Sequence, residues 1–270
     1  MIVDIDKVSE IIADVAEAEI ASRFGNLSAA DVATKSSPSD FVTEADKAAE
    51  TALARALNDI WPGAAFVGEE SVADDPSVLS NIETDGALWI VDPLDGTRNF
   101  VNVTPEFGSI VALVVDGDIR AGWIYAIPDR KMLSASFGDG ACWDGQALAP
   151  LSSPSGPLRG YRAIGNMEEP WKSRLIPNLR AGFETEPAHC SAYSYIRMAL
   201  GDYDFALYSR CWPWDHAAGA LILREVDGRS EYLDTGAPYR PVPTQGRPLL
   251  IAGGADRWLT VRDTLFASDQ

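Results

Sequence analysis

The sequence predicts a layered α/β fold, with helices stacked on sheets. Three observations carry that prediction. Strand-like and helix-like patterns alternate loosely along the 270 residues. A β-hairpin pattern interrupts the first half, so the chain is not a plain βαβ succession. Hydrophobic residues make up 46% of the chain, normal for a globular protein that can fill a core.

Each element has its own signal. Ile5, Val8, Ile11, Ile12 and Val15 recur at helical spacing and predict an amphipathic helix over residues 4–24. "KSSPSD" at 35–40 is a turn-rich break. A second helix is expected from near Thr43 to the stop at Pro62-Gly63. "AAFVGEE" and "ALWIVDPLDGT" read as strands that run straight into acids. Residues 107–127 predict a hairpin around Asp116-Gly117, with short strands and glycine turns after it. "PLSSPSGPLRG" at 150–160 is rich in Pro, Ser and Gly. It marks a boundary between an N-terminal half, residues 1–149, and a C-terminal half, residues 150–270. In the second half, residues 196–200 read as helical and "DYDFALY" as a strand. "WDHAAGALILREVDG" is a helix that Asp215 caps or begins and Gly228 ends. A strand at 248–252 and a helix at 255–267 close the chain.

Charge and cysteine usage remove several functions. The formal net charge is −18, which opposes a nucleic-acid partner, because binding phosphate backbones needs a basic footprint. Small phosphorylated substrates stay open, since a metal reverses the field locally. Cys142, Cys190 and Cys211 are scattered and have no C-x-x-C spacing, so a zinc site or disulfide framework is not expected. No apolar run reaches the ~18 residues that span a bilayer. The acidic start "MIVDIDKVSE" does not resemble a secretory signal, and a cytoplasmic address is expected. His189 and His216 are the two histidines, too few for chemistry built on several imidazoles.

The acids are where chemistry is expected. Glu69-Glu70, Asp92 and Asp95 follow apolar strands, and Asp215 begins an apolar helix. In layered α/β proteins those ends converge on a crevice. Gathered carboxylates repel, at ~4 Å by roughly 4 kcal/mol per pair, unless protonated or bridged by cations. A set with oxygen donors alone selects hard ions and favours Mg²⁺ over Zn²⁺. Gly96-Thr97 beside them lets backbone N–H groups approach an anion, and a helix beginning there adds its dipole. Taken singly, each motif has a plainer reading. Asp-Pro-x-Asp-Gly is a turn, Asp215 an N-cap, and Glu-Glu solvated surface.

"GEES" at 68–71, "WIVDPLDGTRNF" at 89–100 and "PWDHAAGALILREVDG" at 213–228 resemble the inositol monophosphatase family, which is related to fructose-1,6-bisphosphatases. "KSSPSDFVTEAD" at 35–46 and "GDGACWDGQAL" at 138–148 resemble it too, in family order over nearly the whole chain. The resemblance implies a five-layer α-β-α-β-α sandwich. It also implies a Mg²⁺-dependent phosphate monoester hydrolase, with two or three ions per site and attack on phosphorus by activated water. It assigns metal ligands to Glu69, Asp92, the Leu94 carbonyl, Asp95 and Asp215. The N-terminal half would then hold most ligands, and the C-terminal half Asp215 and the specificity residues. Phosphate would rest on Gly96 and Thr97. Thr97, Asp46 and Glu69 would orient the water, with Glu70 in support. Thr43-x-x-Asp46 is equally a capping box, and both roles can coexist. Lys35 matches a family lysine near the metal loop, or a surface lysine.

Substrate specificity is where the chain departs from the family. In inositol-hydrolysing relatives a glutamate seven positions before the helix aspartate binds sugar hydroxyls; here that position is Tyr208. Tyr208, Arg210 and Ser191 join Asp95, Gly96, Thr97 and Asp215 as expected substrate contacts. Arg210 would meet a second anionic group, or else lie on the surface. Arg98 follows Thr97 as in some histidinol-phosphate phosphatases, whereas Asn99-Phe100 matches the inositol branch. Tyr193 and Tyr195 read as pocket wall or core, and His216 as a helix-surface or packing residue. The expected substrate is a small phosphorylated metabolite, and the expected assembly a homodimer. Histidinol-phosphate phosphatase activity is one alternative. A partner-binding protein that keeps the fold is another, although such a protein has no need of the acids.

Overall fold

The computed structural model describes residues 3–27, 32–34, 41–152, 156–242 and 244–267. The whole "KSSPSD" turn, residues 35–40 with Lys35, lies outside them.

The chain opens with helix α1 (Ile5–Val15), capped by the Asp4 side chain on the Lys7 N–H and continued by short π and 3₁₀ turns to Arg23. A small antiparallel pair, β1 (Val32–Thr34) and β2 (Phe41–Thr43), leads into α2 (Glu44–Ile60). Then come β3 (Ala65–Gly68), α3 (Glu69–Asp74), β4 (Ala87–Asp95) and α4 (Thr97–Val101). The hairpin forms as β5 (Gly108–Val115) and β6 (Asp118–Ala126), with Asp116 and Gly117 both at positive φ, as a tight hairpin turn requires. Next are β7 (Lys131–Ser136), β8 (Gly140–Trp143) and β9 (Gln146–Ala147). These give a seven-stranded sheet in the order β3-β4-β5-β6-β7-β8-β9. Only the β3–β4 pair in it is parallel.

The second half contributes β10 (Arg159–Ala163), α5 (Trp171–Gly182), β11 (Glu184–Pro187), α6 (Ser191–Ala199), β12 (Phe205–Cys211), α7 (Pro213–Arg224), β13 (Arg229–Tyr232), β14 (Thr244–Ala252) and α8 (Ala255–Leu265). Its five strands order as β11-β10-β12-β14-β13. The sequence pattern left α5, with Pro177 inside it, unread, along with β10, β11 and β13.

Period-two alternation builds the layers. On β4, Trp89 and Val91 face a core shared with α1 and α2, where Trp123 and Leu53 also sit. Leu88 and Ile90 face the opposite way, into a core shared with α6 and α7. On β12, Ala206 and Tyr208 enter that same middle core, while Phe205 and Leu207 face α5 and α8. Each sheet is thus apolar on both faces, and the order is helices, sheet, helices, sheet, helices. Glycines let α7 approach closely: a Cβ on Gly219 would collide with the Tyr195 ring, and one on Gly122 with the Ala218 backbone.

Candidate active site

The ends of β3 and β4 meet the start of α7 at one crevice. β4 does not finish as a flat strand. Its pairing with β5 shifts register between Asp92 and Asp95, an irregularity that re-aims side chains. Within it the Leu94 N–H donates to Asp92 Oδ1 at 3.1 Å, and the Ser109 hydroxyl holds the Pro93 carbonyl at 2.7 Å. Gly96 then takes a left-handed turn, φ 85° and ψ 30°. A Cβ there would lie 3.0 Å from the Glu106 carbonyl oxygen and 3.3 Å from Cys190 Sγ, so both dihedral and space call for glycine. The helix after it, α4, has only five residues, too short for much of the dipole that the sequence suggested.

On the other side of the crevice, α7 begins with Pro213 as its first residue and Trp212 as its cap. Asp215 therefore sits in the first turn of the helix, as its third residue, and is not its N-cap. Carboxylate oxygens of Asp92, Asp95 and Asp215 all come within 4.8 Å of one another. At an effective dielectric near 20, charges at that spacing repel by about 3 kcal/mol per pair. Burial pushes the Asp95 carboxyl up to about 6, and the charge of Glu69 pushes the same way. Hydrogen bonds partly oppose this: the Cys190 thiol and the Ala192 N–H both donate to Asp95 Oδ2, at 2.9 and 2.6 Å. Oδ2 is thus held from behind by the start of α6. A hard divalent cation suits this set, because every clustered donor is a carboxylate oxygen.

Glu69 is the first residue of α3 and joins the crevice from β3. The α3 N-terminus is held by Glu50 of α2, whose carboxylate accepts from the N–H groups of Glu70 and Ser71, each at 2.8 Å, and from the Ser71 hydroxyl. Burial nevertheless pushes the Glu50 carboxyl above its usual range. A Cβ at Gly68 would collide with this carboxyl, so glycine lets Glu50 reach the helix that presents Glu69. Glu70, the neighbour, is buried.

Asp46 serves two contacts at once. Its Oδ2 accepts from the Thr43 N–H at 2.8 Å and the Thr43 hydroxyl at 2.6 Å, which is the capping box of α2. Its Oδ1 lies 3.1 Å from the Thr97 hydroxyl. That hydroxyl also lies 2.9 Å from the Leu94 carbonyl, and its single proton can go to only one of the two.

Glu69, Asp92, Leu94, Asp95, Gly96, Thr97 and Asp215 line one cleft of about 160 Å³. Phe41, Arg98 and His189 line it too. A larger hollow of about 430 Å³, beside Arg224, Arg229 and Arg257, shares no lining residue with it. Donor chemistry, not size, singles out the smaller one.

The residues expected to touch substrate on the far side are placed differently. Tyr208 is 4% exposed, and its ring lies edge-on to His216 with centroids 4.7 Å apart. Arg210 is exposed on β12. Neither is among the described residues that line the cleft. Ser191 is buried at the start of α6, and its backbone N–H helps hold the Asp95 charge. His216, expected on a helix surface or in packing, is fully buried. Its Nε2–H donates to the Arg210 carbonyl at 3.2 Å, and its Nδ1 accepts from the Tyr195 hydroxyl at 3.1 Å. Burial lowers its pKa to about 4. Tyr195 is core, and the Tyr193 hydroxyl donates to Asp129 at 2.8 Å.

Sequence reasoning passed over Glu50, Cys190, Phe41 and His189. Glu50 was within reach, since it falls four residues after Asp46 on the buried face of α2. Cys190 meets Asp95 across 95 residues of chain, and nothing local signals that.

Residues 3–259 match the model of the inositol monophosphatase family. The chain belongs to the inositol monophosphatase family. It is 30% identical to an inositol-1-monophosphatase of Bacillus subtilis, over 77% of this chain and 78% of that protein. It is 32% identical to inositol monophosphatase 1 of Sus scrofa, over 76% and 75%. A solved structure of the extragenic suppressor protein suhB from Bartonella henselae shares the fold, with a TM-score of 0.80 and 24% identity over 97% and 98% of the two chains. As a member of the inositol monophosphatase family, the protein is a phosphoric monoester hydrolase, and the five-layer sandwich is that of its structural neighbours.

Proposed function

We propose that the protein is a Mg²⁺-dependent phosphatase that hydrolyses a small phosphorylated metabolite by direct attack of water. The observation that carries this reading is the trio of carboxylates within 4.8 Å, beside the Gly96-Thr97 turn. Glu69, Asp92, the Leu94 carbonyl, Asp95 and Asp215 would hold two or three Mg²⁺ ions. Bound there, the ions supply a lowered water pKa and neutralise charge on the attacking and leaving oxygens. The resemblance names the same ion, and solved neighbours from Staphylococcus aureus include complexes with lithium and calcium.

The chain's own residues do the positioning. Were the Leu94 carbonyl to hold a cation, the Thr97 proton would go to Asp46 Oδ1, and a Thr97 lone pair would be left to accept from water. The capping box locks Asp46 Oδ2, so Oδ1 cannot swing away. Glu69, presented by the Glu50-capped start of α3, takes the second contact to that water. The backbone N–H groups of Gly96 and Thr97 hold phosphate oxygens. Aspartates committed to cations are poor nucleophiles, which supports direct hydrolysis without a phosphorylated enzyme.

We also place the enzyme in the cytoplasm as a homodimer. Three scattered cysteines without C-x-x-C spacing support a reducing compartment, and the dimer rests on family resemblance. The deciding experiment is phosphate release from a panel of small monoesters, with and without a chelator. Release should vanish with chelator and return with Mg²⁺. Turnover that ignores the chelator would refute the metal role.

A further inference from the structure

We infer that the physiological substrate carries a second anionic group, held at the cleft mouth by Arg98 with the help of His189. This rests on the phosphatase reading above and says which monoesters the site takes.

Set aside the acids committed to cations and the Gly96-Thr97 amides. What remains of the described cleft lining is Phe41, Arg98 and His189. Arg98 is a permanent cation, and it is exposed. It follows Thr97 directly, so a phosphate resting on the Gly96-Thr97 amides brings the rest of the ester past its guanidinium. His189 is exposed on the facing segment, one residue before the Cys190 that grips Asp95. In a chain with 40 acids against 22 Lys and Arg, a cationic rim on an acidic cleft is a local exception.

The same lining argues against a neutral substrate. A neutral polyol is read best by a carboxylate that accepts two hydroxyls, and the position expected to supply one holds Tyr208. That ring is buried, and its hydroxyl finds no hydrogen-bond partner among the described residues. A carboxylate or second phosphate would gain charge-assisted hydrogen bonds from the Arg98 guanidinium fork. The role given to Arg210 by sequence alone thus passes to Arg98.

Two matched pairs test this: glycerol 3-phosphate against 3-phosphoglycerate, and fructose 6-phosphate against fructose 1,6-bisphosphate. The added group is a carboxylate in one pair and a phosphate in the other, so the pair that responds identifies it. With Mg²⁺, kcat/KM should favour the second member of at least one pair by about tenfold or more, mainly through KM. Arg98→Gln should bring that ratio close to one, and Arg98→Lys should keep part of it. A readout without turnover uses calorimetric binding of 3-phosphonopropionate and propylphosphonate, whose C–P bonds resist hydrolysis. If the carboxylate arm responds, the first should bind more tightly, and Arg98→Gln should erase the difference. Ratios near one in both pairs, or a ratio unmoved by Arg98→Gln, would overturn the second-anion inference while leaving the phosphatase reading intact. Hydrolysis of none of the four esters would overturn both.

Discussion

The charged wall of the cleft and the closed wall packed beside it, which adds none of Tyr208, Trp212, Trp214 or His216 to the described lining, are built on opposite principles. The turn from Asp92 to Thr97 gathers charge: three carboxylates lie within 4.8 Å across it, and one is pushed up to about 6 by burial. Beside it, Tyr208, Trp212, Trp214 and His216 dispose of polarity instead. Tyr208 is buried, His216 is satisfied on both ring nitrogens, and Trp212 stacks on Trp214 with their planes 6° apart. One wall is unfavourable until something cationic arrives. The other is finished as packed core and asks for no ligand. On the proposed reading the contrast separates reaction from recognition: the first wall would hold what any phosphate monoester needs, and the second has closed Tyr208, the position where the family resemblance placed substrate recognition.

The largest effect expected comes from the charged wall. Asp95→Asn removes a ligand and one partner of the mutual repulsion. Turnover with Mg²⁺ should fall on the order of a thousandfold or more, comparable to losing a key electrostatic group. The fold should persist, and the chelated variant should melt at or above the wild-type temperature. The stability argument is a matter of sign. The folded carboxyl holds its proton to about pH 6 against an ordinary 3.8, so at neutral pH its ionised form costs stability that asparagine recovers. Phosphate release and a melting curve in EDTA check both halves. Near-normal turnover would remove Asp95 from the metal set, and a lower melting temperature would show the cluster to be stabilising.

A middle-sized effect tests the closed wall. His216 takes its proton near pH 4 when folded and near 6.5 when unfolded. The unfolded chain therefore binds the extra proton first. The stability owed to a neutral His216 is fully present above about pH 6.5 and is lost as pH falls toward 4. A difference of this size corresponds to about 3 kcal/mol at its limit. Asp95 titrates with the opposite slope, so wild type should be compared with His216→Phe, which retains Asp95. From pH 7.5 to 4, the stability lead of the wild type in denaturant titrations should shrink by about that amount. Parallel curves would mean that His216 keeps an ordinary pKa and that this wall is wetter than its packing indicates.

The same contrast decides what the sequence could reveal. The charged wall is written locally: an apolar run, then Asp92, Pro93, Asp95, Gly96 and Thr97 within six residues. Short-range turn chemistry and strand alternation make such a stretch readable without a structure, and the layered fold follows from the same alternation. The Cys190–Asp95 contact is not written that way, because it depends on α6 arriving opposite the Gly96 turn. Nor is the fate of Tyr208 and Arg210. On β12 successive residues point to opposite faces, and the register shift between 208 and 210 changes which face each takes. Counting residues found the right position in the chain but could not say whether it opens into the cleft or into the core. α5 escaped for a related reason, since an internal proline masks its helical pattern.

The smallest expected effect draws the boundary between the walls most finely. Tyr208→Phe deletes one oxygen that lies buried without a hydrogen-bond partner among the described residues, although the Ser191 and Ser194 hydroxyls stand close enough to moderate its pKa. Burial pushes that phenol well above its usual range, so it stays protonated and contributes no charge to the cleft. Removing an unpaired buried hydroxyl relieves a desolvation cost and leaves the ring packing intact. The variant should therefore match the wild type or gain up to about 1 kcal/mol. KM for each accepted ester should stay within about twofold. A several-fold rise in KM with unchanged stability would place the hydroxyl in contact with substrate, and the closed wall would then have an opening that recognition uses.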